Sequence, residues 1–149
     1  MKTILVVDDD QVFRSLCRRW LEKHGHRVVE AAGPQEALEA GRGCDLMLLD
    51  YDLGASNAEE VMEMLKAESS AVPVILVSGM HPEADVLERL ENLGIVRYIE
   101  KPVRMDDLQD AVDRAIKVSD ELDKCGEACR KMEDVVRTGV LSAYEHHLA

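Results

Sequence analysis

Short, continuous apolar runs alternate with amphipathic stretches along this chain. The runs are Thr3–Val7, Arg27–Ala31, Leu46–Leu49, 74–77 and 95–99, each the length of a strand buried on both faces. Between them lie helical patterns. Phe13, Leu16, Cys17, Trp20 and Leu21 share one face, and Phe13 and Trp20 read as core. Ala37, Leu38 and Ala40 follow Gly33-Pro34, with the proline near the first helical position. Val61, Met62, Met64 and Leu65 make a third face, and Val86, Leu87, Leu90 and Leu93 a fourth. Gly25, Gly41 and Gly94 supply turn signals after these patterns. Five strand-then-helix units predict an α/β domain, a parallel sheet with helices on both faces. Right-handed crossovers favour the doubly wound strand order 2-1-3-4-5, in which ligands bind beyond the carboxyl ends of the strands.

After Pro102 the pattern stays helical. Leu108, Ala111, Ala115, Val118, Leu122, Cys125, Cys129, Met132 and Val136 recur in alternating steps of three and four, a heptad seam. Its first part is expected to cover the sheet. The part beyond Val118 outruns the domain and needs a partner surface, because an isolated helix so rich in Ala and Cys is marginal. This divides the chain into a domain over 1–118 and a helical extension over 119–149. The extension is expected to mediate a homodimer or to lead into an output domain.

Composition narrows the function. At 149 residues and 46% apolar, the chain can close one hydrophobic core. A net charge of −12 argues against direct nucleic-acid binding or an anionic membrane surface. No apolar run approaches the ~20 residues that cross a bilayer, and Asp8-Asp9-Asp10 cuts short the first apolar run where a secretory signal would need a small-residue cleavage site. A cytoplasmic location is expected. Cys17, Cys44, Cys125 and Cys129 read as reduced thiols, and the pair Cys125/Cys129 with His146-His147 matches no usual zinc spacing.

The strand ends carry the chemistry. The first strand ends in Asp8-Asp9, the third in Asp50, the fourth in Ser78, and the fifth leads into Lys101-Pro102. Adjacent strand tips in a parallel sheet lie about 5 Å apart, so these residues can converge. Three carboxylates together repel one another, and a hard divalent cation with oxygen ligands resolves the conflict; Mg²⁺ fits best. Lys101 adds a point charge and Ser78 a hydroxyl, each suited to an oxygen of an incoming phosphoryl group. A carboxylate held there is a competent nucleophile.

Ile4-Leu5-Val6-Val7-Asp8-Asp9, Asp45-Leu46-Met47-Leu48-Leu49-Asp50, Pro73-Val74-Ile75-Leu76-Val77-Ser78-Gly79 and Tyr98-Ile99-Glu100-Lys101-Pro102 together resemble the response-regulator receiver domain of two-component signalling, over residues 1–118. The resemblance implies a flavodoxin-like, CheY-like fold and a phosphoryl group accepted on Asp50 from a sensor histidine kinase or phosphotransfer protein. It implies Mg²⁺ held by Asp9 directly, Asp8 through water, Asp50, and the carbonyl of Asp52. Lys101 would pair with the phosphoryl group, Ser78 would be the switch hydroxyl and Tyr98 the aromatic switch, and Lys101-Pro102 would be cis. Such a chain is a signalling phosphoacceptor rather than an enzyme. The loop after Asp50 departs from the family pattern: Gly54 stands where proline would stiffen it, which predicts a looser loop.

Taken singly, these residues have plainer readings. Asp10 is an N-cap, Ser78 a turn residue, Tyr98 a strand residue with a wet tip, and Arg14, Arg18 and Arg19 a solvated face. Asp50-Tyr51-Asp52 also resembles the paired aspartates of haloacid-dehalogenase-like phosphatases, in which the second serves as acid/base. In those enzymes the further acidic pair follows the nucleophile, whereas Asp8-Asp9 precedes Asp50.

Overall fold

The computed structural model describes residues 2–68, 72–79 and 82–124, with side chains described through residue 118. The elements run β1 (Thr3–Val7), α1 (Gln11–Lys23), β2 (Arg27–Ala31), α2 (Pro34–Gly41), β3 (Leu46–Leu49), β4 (Asp52–Leu53), β5 (Ser56–Asn57), α3 (Ala58–Ala67), β6 (Val74–Ser78), α4 (Ala84–Leu93), β7 (Ile95–Glu100) and α5 (Met105–Lys124). Five strands form an all-parallel sheet in the order β2-β1-β3-β6-β7. Counting the sheet strands alone, this is the expected 2-1-3-4-5 order.

Alternation sorts the strand residues into two cores. Ile4, Val6, Leu46, Leu48, Ile75 and Val77 pack with Cys17 and Leu21 of α1 and with Leu108, Ala111 and Val112 of α5. Leu5, Val7, Met47, Leu49, Val74 and Leu76 pack with α2, α3 and α4 on the other face. Both faces of the central strands are therefore covered, which is why these runs are continuously apolar. In β7 the pairing slips between Val74↔Ile95 and Ile75↔Arg97. The extra residue, Val96, lets Ile95 and Tyr98 share one face although they are three apart.

Local signals set the helix ends. Asp10 caps α1, its side chain accepting from the Val12 N–H at 3.0 Å, as expected from sequence. Pro34 opens α2, Asn57 caps α3 by accepting from the Glu60 N–H, and Gly94 ends α4 at φ 117°.

Three sequence expectations are corrected. Trp20 is half-buried and stacks on the His24 ring, outside both cores. Leu16 lies 47% exposed, because the apolar arc of α1 is wider than the stripe it buries. The Asp52–Asn57 stretch is not slack: it closes as a hairpin, with Asp52↔Asn57 and Leu53↔Ser56 paired antiparallel and Leu53 buried. The heptad seam continues as helix through Lys124; the rest of it, with Cys125, Cys129 and His146-His147, lies outside the described residues. Among the described residues no helix is long and apolar enough to cross a membrane.

Candidate functional site

The parallel register brings Val7 opposite Leu49, so the next residues, Asp8 and Asp50, emerge side by side at the sheet's carboxyl edge. Backbone bonds fix both: the Asp50 N–H donates to the Val7 carbonyl at 2.9 Å and the Asp8 N–H to the Ala31 carbonyl at 3.1 Å. One carboxylate oxygen from each of Asp8, Asp9 and Asp50 lies within 4.8 Å of the others. Asp8 is 1% exposed and Asp50 8%, while Asp9 opens to solvent.

β7 delivers the cation. Ser78 pairs with Glu100, its carbonyl accepting the Lys101 N–H at 2.8 Å, and the Lys101–Pro102 bond is cis. The Lys101 Nζ donates to Asp8 Oδ2 at 2.6 Å and lies 3.6 Å from Asp50 Oδ2. It also sits 4.1 Å from the centroid of the Phe13 ring, a cation–π contact. Phe13, which the sequence pattern assigns to the core, thus forms part of the seat of the lysine.

The electrostatics follow from this crowding. Burial, then the Asp8 charge, push the Asp50 carboxyl up to about 6, with Asp9 adding to the rise and Lys101 and the Asp52 N–H opposing it. Burial pulls the Lys101 ammonium down, but its hydrogen bonds to and the charges of Asp8 and Asp50 outweigh this and hold it above its usual value. One ammonium among three carboxylates leaves the cluster short of positive charge. An all-oxygen donor set of this kind suits a hard divalent cation. Both Asp8 oxygens are already engaged, Oδ1 by the Asp10 N–H at 2.8 Å and Oδ2 by Lys101. Asp9 and Asp50 are the freer donors.

The remaining expected residues lie on neighbouring elements. Ser78 is buried at the end of β6, the strand next to β3. Tyr98 lies inward on β7, 8% exposed and packed in the α2–α3–α4 core. Asp52 sits in the hairpin, its carboxylate turned onto the Gly54 N–H at 3.0 Å. That carboxylate is not in the three-acid cluster.

One participant is hidden in the sequence. The pattern groups Arg14 with a solvated face, yet its side chain is 15% exposed and its Nη1 donates to the Asp8 carbonyl at 2.6 Å. Arg18 is half-exposed and Arg19 exposed. The available signal is the Arg14/Arg18 spacing of four, facing Glu30 at the tip of the neighbouring strand.

Comparison with known proteins places this geometry among relatives. Residues 4–113 match the family model of the response regulator receiver domain. The Regulator of RpoS of Escherichia coli (strain K12) is 35% identical over 105 residues, covering 69% of this chain and 31% of that protein. The chain thus spans about a third of that relative's length. Sporulation initiation phosphotransferase F of Bacillus subtilis (strain 168) is 29% identical over 111 residues, 73% of this chain and 89% of that protein. Among solved structures, a response regulator receiver domain protein (CheY-like) from Methanospirillum hungatei JF-1 superposes with a TM-score of 0.75 at 28% identity, covering 81% of this chain and 98% of that one.

Proposed function

The chain belongs to the response regulator receiver family of two-component signalling, and from that premise we propose that Asp50 accepts a phosphoryl group and that its arrival reorganises the surface read by a partner. The observation that carries the reading is the meeting of three carboxylates within 4.8 Å, with the Lys101 ammonium 2.6 Å from one and 3.6 Å from another.

The donor is a phosphohistidine of a sensor kinase or phosphotransfer protein. The P–N bond breaks as a P–O bond forms to an Asp50 oxygen, and the imidazole leaves with its electron pair. Little covalent chemistry falls to the protein beyond alignment and charge compensation. Asp9 and Asp50, with Asp8 through water and the Asp52 carbonyl, would hold Mg²⁺, which when bound neutralises charge on the transferring group and on the acids. Burial and backbone bonds hold Asp50 against β1. Lys101, seated on Phe13 and already hydrogen-bonded to Asp8, meets a phosphoryl oxygen. Ser78 is the hydroxyl that engages another.

Phosphorylation adds about −1.5 to −2 charge and strong acceptors. Lys101 and Ser78 answer it, and Tyr98, inward on the neighbouring strand, belongs to the element that reports the change to α4, β7 and α5. One phosphoryl group per chain is taken up and slowly lost to water. The phosphatase alternative requires the second aspartate as a proton shuttle, and the Asp52 carboxylate is instead committed to its own hairpin.

The test incubates the protein with Mg²⁺ and acetyl phosphate and measures intact mass. One added phosphoryl group is expected in the wild-type protein and none in Asp50→Asn. An equal gain in the variant moves the acceptor elsewhere.

A further inference from the structure

Asp8 is held at every polar atom. Its N–H donates to the Ala31 carbonyl, Oδ1 accepts from the Asp10 N–H, Oδ2 from Lys101, and its carbonyl from Arg14 Nη1 at 2.6 Å. The last contact belongs to a chain of ions behind the acidic cluster. Arg14 Nε donates to Glu30 Oε1 at 3.2 Å, and Arg18 Nε lies 2.7 Å from Glu30 Oε2. Arg18 also reaches the Val28 carbonyl. Glu30 stands near the end of β2, which pairs with β1 in register Val6↔Glu30. The network therefore ties α1 and β2 to the one peptide unit that joins Asp8 to Asp9.

We propose that Arg14, oriented by Glu30, is a positioning residue for the cation site: it fixes the Asp8–Asp9 peptide and so the direction in which Asp9 presents its carboxylate. The inference rests on the receiver reading above. Its logic is that of outer-shell partners in metal sites generally, where a residue that touches no metal orients the one that does. Arginine is required because its planar fork can serve a carboxylate and a carbonyl together, whereas a lysine offers one point of charge.

Positioning and plain electrostatics predict opposite signs. A nearby cation repels Mg²⁺, so deleting Arg14 for its charge alone would tighten metal binding. Glu30, shared with Arg18, offsets part of that charge, and a loss of affinity on deleting Arg14 can come only from geometry.

The experiment titrates Mg²⁺ calorimetrically into wild type, Arg14→Met, which keeps the stem, and Glu30→Gln, which loosens the guanidinium without removing it. Arg14→Met is expected to weaken Mg²⁺ binding about tenfold, the lower end of outer-shell losses, and Glu30→Gln, which leaves the guanidinium in place, by less. Acetyl phosphate uptake should fall in parallel at low Mg²⁺ and recover at saturating Mg²⁺. Melting temperatures run alongside separate a folding role from a positioning one. Unchanged or tighter Mg²⁺ binding in Arg14→Met, with only its melting temperature lowered, overturns the inference. Should Arg14→Met not fold, Arg14→Lys decides on the same criterion, because it keeps the charge and loses the fork that serves Glu30 and the Asp8 carbonyl together. A wild-type protein that binds Mg²⁺ but never gains the phosphoryl group sinks the receiver reading instead, since the metal titration does not depend on phosphorylation.

Discussion

Without metal, Asp50 should be a source of instability. Its carboxyl is raised from 3.8 to about 6 by burial and by Asp8 and Asp9. A raised value means that the folded state holds the proton more tightly than the unfolded chain. The associated stability is therefore present below the unfolded value of 3.8 and is lost as pH rises through about 6. Two pH units at 1.36 kcal/mol each amount to about 3 kcal/mol, and solvent reaching the open side of the pocket screens this to roughly 1–3 kcal/mol. Asp50→Asn removes the charge and keeps the shape. In a chelator at about pH 7.5 the variant should be more stable than wild type by that amount, a rise in Tm of roughly 3–10 °C for a domain of this size. The gap should close as pH falls below the unfolded value of 3.8, where Asp50 becomes protonated in both states. Saturating Mg²⁺ should narrow it from the other side, since the wild-type site binds the ion better than one short of a carboxylate. Thermal unfolding followed by circular dichroism, at two pH values with and without Mg²⁺, gives all four comparisons. A variant that melts at or below wild type in chelator near neutral pH, or a gap that ignores pH, would refute the claim that burial and neighbouring charge make an ionised Asp50 costly at this site.

Two further outcomes follow from the core and the hairpin. Burial pushes the Cys17 thiol up to about 12 and the Cys44 thiol up to about 11, so neither should react with iodoacetamide in the folded protein at pH values where free thiols do; rapid native-state labelling of either, read by peptide mass, would contradict the packing. Gly54 adopts φ 77°, and a methyl group added there would meet only Asp9 Oδ2, 3.7 Å away. Gly54→Ala should therefore cost about 1 kcal/mol through backbone strain rather than collision, and Gly54→Asn less; denaturant titration showing no loss for the alanine variant would place that backbone elsewhere.

The sheet was legible because its strands are buried on both faces. Such strands need no alternation, only a continuous apolar run bounded by polar residues, and each run reproduces the observed strand to within one residue: Ser78 and Glu100 extend the last two. The acidic centre was legible for the same reason, since a run that stops at Asp8 or Asp50 also stops at the sheet's edge. What was not legible lacks a period. The β4–β5 hairpin has two residues per strand, too short for any pattern, although Asp52-Leu53-Gly54 carries the side chain and the glycine that such a turn uses. Arg14 and Arg19 are chemically identical in the sequence. Only the angle between them around α1 decides that one reaches the Asp8 carbonyl and the other meets solvent.

These two kinds of residue are coupled through stability. A cluster of like charges can persist only where the surrounding structure outweighs its repulsion. Here the counterweight is close at hand: Val7 and Leu49, fully buried, immediately precede Asp8 and Asp50, so opening the site means withdrawing the ends of two central strands from the core. Loss of a fully buried Leu side chain costs about 2–5 kcal/mol, comparable to or larger than the cost of burying and crowding the Asp50 charge. The acids are thus held in place by the apolar residues beside them, and an arriving cation or phosphoryl group finds the carboxylates already gathered.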